Sequence, residues 1–155
     1  NEATVGGAIW CESSSGPSIT SCTLAMNRAL YRGGGAYSKD SVPLFRNTIV
    51  AWSTGGEAVY YREGGIAPEL SCCNLYGNRG GDWVGAVLDQ RFTNGNIGAD
   101  PLFCNRWFGN FTIGAASPCA PAQTGSCGLI GAFGVGCTEV PAERTTWGSI
   151  KAKFR

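Results

Sequence analysis

The chain repeats itself with a period near 25 residues, registered on its prolines. Pro17 opens PSITSCTLAMNRA, Pro43 opens PLFRNTIVAWSTG and Pro68 opens PELSCCNLYGNRG, at spacings of 26 and 25 residues. Two residues after each proline stand Ile19, Phe45 and Leu70, and seven after stand Leu24, Val50 and Leu75. Five after stand Cys22, Thr48 and Cys73, and ten after stand Asn27, Ser53 and Asn78. A second element precedes each proline: GGAIWC at 6–11, GGAYS at 34–38 and EAVYY at 57–61. Each copy thus holds two short β-like runs joined by polar or glycine turns. Retained chemical character at fixed offsets is what stacked coils demand, because each side chain lies on its equivalent in the next coil. The spacing predicts an all-β, right-handed parallel β-helix of roughly five to six coils. Ile19, Phe45, Leu70 and Phe103 should form one inward column, and Leu24, Val50 and Leu75 another. A β-sandwich, the main rival for short strands with regular turns, does not explain the register.

After Asn78 the period breaks, and residues 80–100 read as a longer loop or irregular coil. The pattern returns at Pro101 with PLFCNRWFGNFTI, and residues 117–137 are expected to form a last partial coil and its closure. The solenoid domain is therefore placed at 1–137 and a tail at 138–155. Within the tail, Thr145 or Thr146 would cap a short helix that puts Trp147, Ile150 and Phe154 on one face.

The composition suits this architecture. There are 24 glycines, and charged residues make up only 15%. Many glycines and few charges favour tight turns over long surface helices. The net charge is +1, with no basic stripe of the kind a phosphate backbone requires, so nucleic acid is not expected as a partner. No run of about 18 apolar residues is present, so no membrane span is expected. The chain starts at Asn1 without a methionine or leader, as expected of an exported product or a fragment.

Eight cysteines with no histidine and no C-x-x-C pair argue for disulfides, an oxidising extracellular location and no zinc site. Cys22 and Cys73 fit small core positions. The pairs expected are Cys72 with Cys104, on adjacent coils, and Cys119 with Cys127, closing a short loop.

The segments GGAIWCESSSGPSITSCT, LSCCNLYGNRGGDW and GADPLFCNRWFGNFTIGAASPCAP followed by CGLIGAFGVGC resemble right-handed parallel β-helix repeat proteins of bacterial secreted and cell-surface type. The ending is similar to their C-terminal modules. The resemblance spans about residues 6–137 and implies fold and export; it does not imply an activity.

A catalytic site is not expected. With no histidine, the serines at 13–15 lack the usual activating base, and in the aligned copies no carboxylate stacks on another. Asp82, Asp89 and Asp100 share the irregular segment and are the one weighed calcium or pocket candidate, against ordinary turn-capping roles. No cofactor is implied. Trp10, Tyr37, Tyr60 and Tyr61 recur at related places; pointing outward they would offer a ladder to sugar rings, but a core or mixed placement is the expectation. The reading is a secreted structural protein, not an enzyme, joining copies of itself head to tail into a filament or surface array through Trp147, Ile150 and Phe154. The alternatives are a cell-surface carbohydrate-binding module and, behind it, a polysaccharide lyase- or hydrolase-like solenoid.

Overall fold

A computed structural model describes residues 1–62 and 66–139. The chain winds into a parallel β-solenoid of about five turns. The first coil carries β1 (Glu2–Val5), β2 (Ile9–Glu12), β3 (Ser18–Thr20) and β4 (Thr23–Ala25). The second carries β5 (Arg28–Arg32), β6 (Ala36–Lys39), β7 (Leu44–Arg46) and β8 (Ile49–Ala51). The third carries β9 (Val59–Arg62), β10 (Glu69–Ser71) and β11 (Asn74–Tyr76). Strands pair in parallel with their equivalents one coil away, giving the sheets β2-β6-β9, β3-β7-β10 and β4-β8-β11, with β1 on β5.

The register matches the sequence repeat residue for residue. Ile19 pairs with Phe45 and Phe45 with Leu70, while Leu24 pairs with Val50 and Val50 with Leu75. These columns, with Ala36 and Val59, form the apolar interior. Cys73 is buried there as a free thiol, and Cys22, half-exposed, packs against the same core cluster. Two polar columns turn the corners. Thr48 Oγ1 accepts from the Cys22 N–H, and Asn78 Oδ1 from the Ser53 N–H, so the column residues satisfy one another's backbone across coils.

Each coil bends at single residues with left-handed backbone. Gly6, Gly33 and Gly56 repeat at one corner, Ser21, Asn47 and Cys72 at a second, and Met26, Trp52 and Gly77 at a third. Glycine is free there, whereas the non-glycine residues are held against an intrinsic preference by the stacking. On the outside, ion pairs link neighbouring coils: Arg28 to Glu2 at 2.6 Å, Arg32 to Glu57 at 2.5 Å, and Lys39 to Glu12. Acids therefore stack on bases.

The fourth coil is irregular, as its sequence suggests. A 3-10 segment, Gly85–Gln90, replaces strands, and Ile97 alone bridges back to Asn74. Its Trp83 and Val87 plug the end of the core. Gln90 Oε1 takes the Leu70 N–H, Asn94 O the Cys72 N–H and Asn96 Oδ1 the Cys73 N–H. That end of the stack is closed.

Beyond it the structure departs from expectation. Phe103 does not continue the Ile19 column. It lies in β12 (Phe103–Asn105), antiparallel to β13 (Asn110–Gly114), which pairs in parallel with β14 (Val135–Cys137). Residues 117–134 leave the stacking direction before β14 returns to pair in parallel with β13. They run back along the outside of β11, β8 and β4: Asn47 Nδ2 donates to Cys127 O and Leu129 O, the Gly131 N–H to Asn47 O, and the Ala132 N–H to Thr23 Oγ1. Phe103, Ile113, Cys119, Ala120 and Ile130 thereby bury Ile49 and Ala51 in a second core outside the solenoid wall. Val50 faces in while its two neighbours face out, and all three are buried.

This fold-back sets the disulfides. Among the described residues two form, Cys72–Cys127 and Cys104–Cys137, and neither expected pair is present. Cys104 begins the C-terminal module, so it meets β14 and not the third coil. Cys127 lies against the outside of that coil and reaches Cys72. Cys119 is a buried free thiol whose Sγ accepts from Asn74 Nδ2. The tail positions Trp147, Ile150 and Phe154 lie outside the described residues.

Candidate functional site

The aromatics before the prolines are placed as a mixture: Trp10, Tyr37 and Tyr60 face outward, whereas Tyr61 falls on the inward register. In β2, Ile9 and Cys11 point inward, so strand alternation turns Trp10 out. Trp10, Tyr37 and Tyr60 fall in one register, and Trp10 is 61% exposed. Tyr37 and Tyr60 stack with centroids 5.4 Å apart, and Trp10 meets Tyr37 edge-on at 6.4 Å. The Arg32 guanidinium covers Tyr60 at 5.0 Å. These rings spend their faces on one another, as cross-strand neighbours do, and Trp10 alone keeps a broad open surface. Tyr61 shares the register of the inward Cys11 and Ser38 and is half-buried.

The three weighed aspartates do not converge. Asp82 accepts from the backbone N–H of Gly77 and Asn78 and from Asn78 Nδ2. Asp100 accepts from the Leu102 N–H, and Asp89 is exposed. Among the described residues no group of three or more potential metal ligands is placed to hold an ion. These are the contacts of turn-capping aspartates.

The two ends of the solenoid differ. At the first coil, β2, β3 and β4 each sit at the edge of their sheet. Ile9, Cys22 and Leu24 are half-exposed, whereas their second-coil equivalents Ala36, Thr48 and Val50 are buried. β1 belongs to this coil through its pairing with β5 and does not cap it. The opposite end carries the Trp83 and Val87 plug.

Sequence reasoning passed over one cleft, of about 290 Å³, at the third corner of the wall, lined by Met26, Trp52, Thr54, Arg79, Arg106 and Trp107 among others. Gly77 seats its floor, because a Cβ there would meet the Trp52 ring at 2.7 Å. Tyr76 packs edge-on against Trp52 at 5.1 Å, and the Arg106 guanidinium lies 3.8 Å from the Trp52 centroid and 4.9 Å from that of Trp107. Trp52 and Arg106 stand 54 positions apart and no repeat links them, so no local pattern marked the site.

Burial raises the thiols of Cys73 and Cys119 to about 11 and also pushes Cys11 up, so these sulfurs are poor nucleophiles. Among the described residues no helix is long and apolar enough to cross a membrane. Compared with known proteins, the chain matches no family model, no curated protein and no solved structure. The parallel β-solenoid accordingly rests on the pairing register of the chain itself.

Proposed function

We propose that this chain is a non-catalytic extracellular structural protein whose solenoid associates with a second copy through its open first coil. The observation that carries this reading is the contrast between the ends: three edge strands with half-exposed Ile9, Cys22 and Leu24 at one, a plugged core at the other. Unpaired strand edges over an uncovered apolar interior favour addition of another strand layer. Contact between two such ends is isologous and closes as a dimer. Growth into a filament needs a second contact, the role assigned from sequence to Trp147, Ile150 and Phe154. The two disulfides are compatible with the extracellular setting.

Sedimentation velocity on the full chain, with electron microscopy of the same samples, tests the proposal. Association is expected at micromolar concentration, and Leu24→Lys should give a folded monomer, because the half-exposed end tolerates the longer side chain while a second copy does not. Removal of 140–155 should leave dimers and abolish polymers. A wild-type chain that stays monomeric at several hundred micromolar sinks the reading.

A further inference from the structure

We infer that Asn110 is an acceptor for an N-linked glycan and that Phe108, two residues before it, receives the first sugar on its ring. The inference rests on the extracellular part of the proposed function and not on association. Asn110-Phe111-Thr112 is the one Asn-x-Ser/Thr sequence in the chain, and its middle residue is not proline. The structure sets it at the start of β13, where the chain leaves the turn from β12. Residues 107–110 are all exposed, and a Cβ added at Gly109 would meet nothing within 4 Å. Open space around the turn leaves room for a bulky saccharide. The Cys104–Cys137 disulfide joins β12 to β14 on either side of β13, so the turn stands on a fixed base. Disulfides form in the same oxidising export compartment in which such glycans are attached.

The local hydrogen bonds fix the carboxamide by its oxygen. Asn110 Oδ1 accepts from the Thr112 N–H at 3.1 Å and from Thr112 Oγ1 at 2.6 Å. Its Nδ2, the atom that carries the sugar, has no partner among the described residues. The asparagines at the coil corners differ: Asn47, Asn74, Asn78 and Asn96 each donate from Nδ2 to a backbone carbonyl. In the transfer, Asn110 Nδ2 attacks C1 of the N-acetylhexosamine at the reducing end of a polyprenyl diphosphate-linked saccharide. The Nδ2–C1 bond forms, Nδ2 loses a proton, and the C1–O bond breaks as polyprenyl diphosphate leaves with its electron pair. Phe108 is 87% exposed and Trp107 68%, an apolar surface that a hydrophilic glycan would shield. Among the described residues Phe108 meets no other ring or guanidinium. Two residues of chain span at most about 7 Å, so the ring is within reach of the sugar bonded to Asn110. The C–H face of a hexosamine suits such an open aromatic face, while its hydroxyls stay in water.

Secretion of the full chain from cultured eukaryotic cells, behind a cleavable leader, tests this by intact mass and peptide mapping. Asn110 should carry a saccharide built on N-acetylglucosamine, released by peptide-N-glycosidase with conversion of Asn110 to aspartate. Asn110→Gln should be secreted without it. Translation of the same chain with isolated microsomes reads the transfer without requiring folding or export. For Phe108, the glycan is trimmed to its first sugar and thermal melts are compared with those of Asn110→Gln. The single sugar should raise the melting temperature by about 2–4 °C, the shift expected of one aromatic stacking contact in a chain of this length. Phe108→Ala, at an exposed position and therefore compatible with folding, should lose most of that gain. Mass reads the modification and sedimentation the association, so either reading can fail without the other. Three outcomes would overturn the inference: an unmodified Asn110 in both systems, a trimmed sugar that leaves the melting temperature unchanged, or an equal gain in Phe108→Ala.

Discussion

Asn78 offers the sharpest test of how the coils are held together. Its carboxamide is buried at 6% exposure. Nδ2 donates to Val50 O at 2.9 Å and to Asp82 Oδ1 at 2.8 Å, while Oδ1 accepts from the Ser53 N–H at 3.1 Å. Asn78→Ala strands the buried Ser53 donor, which costs about 1–3 kcal/mol, and removes three further hydrogen bonds, the weakest to Tyr76 O at 3.4 Å, with a net worth of at most about 1 kcal/mol each. A loss of about 3 kcal/mol is expected, and for a chain of this size that lowers the melting temperature by roughly 6–12 °C. Asn27 provides an internal control. It occupies the same column in the first coil, yet among the described residues its side chain accepts only from the Asn1 amino group, at 3.3 Å. Asn27→Ala should cost under about 1 kcal/mol, since a partly solvated bond is worth little. Guanidinium titrations of both variants, with disulfides intact and m-values unchanged, give the comparison. If Asn78→Ala costs less than about 1 kcal/mol, or if Asn27→Ala is equally damaging, the corner columns do not hold the coils as argued.

Two other expectations concern the cysteines. Non-reducing peptide mapping should recover Cys72–Cys127 and Cys104–Cys137; replacing both Cys72 and Cys127 by serine should lower stability by about 4 kcal/mol, given the 55-residue separation, and recovery of Cys72–Cys104 would refute the fold-back. Burial raises the thiols of Cys73 and Cys119 from the ordinary 9.0 to about 11, so the folded state holds their protons more tightly than the unfolded one. Their contribution is then complete below about pH 9 and is lost as pH rises toward 11. Stability measured across that window should fall less steeply for Cys73→Ala than for wild type, and parallel curves would show that this thiol is not coupled to folding.

The solenoid itself was legible because stacking makes chemistry periodic. Ile19, Phe45 and Leu70 share one environment, so they share a character that survives in the sequence. Asn27, Ser53 and Asn78 recur for the same reason, each turning the same corner. The mixed placement of the aromatics was legible too, through the alternation of Ile9, Trp10 and Cys11, which turns Trp10, Tyr37 and Tyr60 out and sets Tyr61 on the inward register. The second core left a fainter trace. Thr23-Leu24-Ala25 and Asn74-Leu75-Tyr76 each carry a single inward leucine, whereas Ile49-Val50-Ala51 is apolar on both faces. A strand apolar throughout is one covered on both sides.

What covers that strand was decided only in three dimensions. The path of residues 117–137 over the wall depends on contacts such as Thr23 with Ala132, across 109 positions, which no repeat encodes. The identity of Cys127 as the partner of Cys72, the transfer of Phe103 to the outer core and the meeting of Trp52 with Arg106 all follow from that path. The sequence by itself determined the coil, because each coil's environment is set by a neighbour one period away. Tertiary structure decided the C-terminal module, because its environment is set once, by a surface that exists only after the coils have stacked.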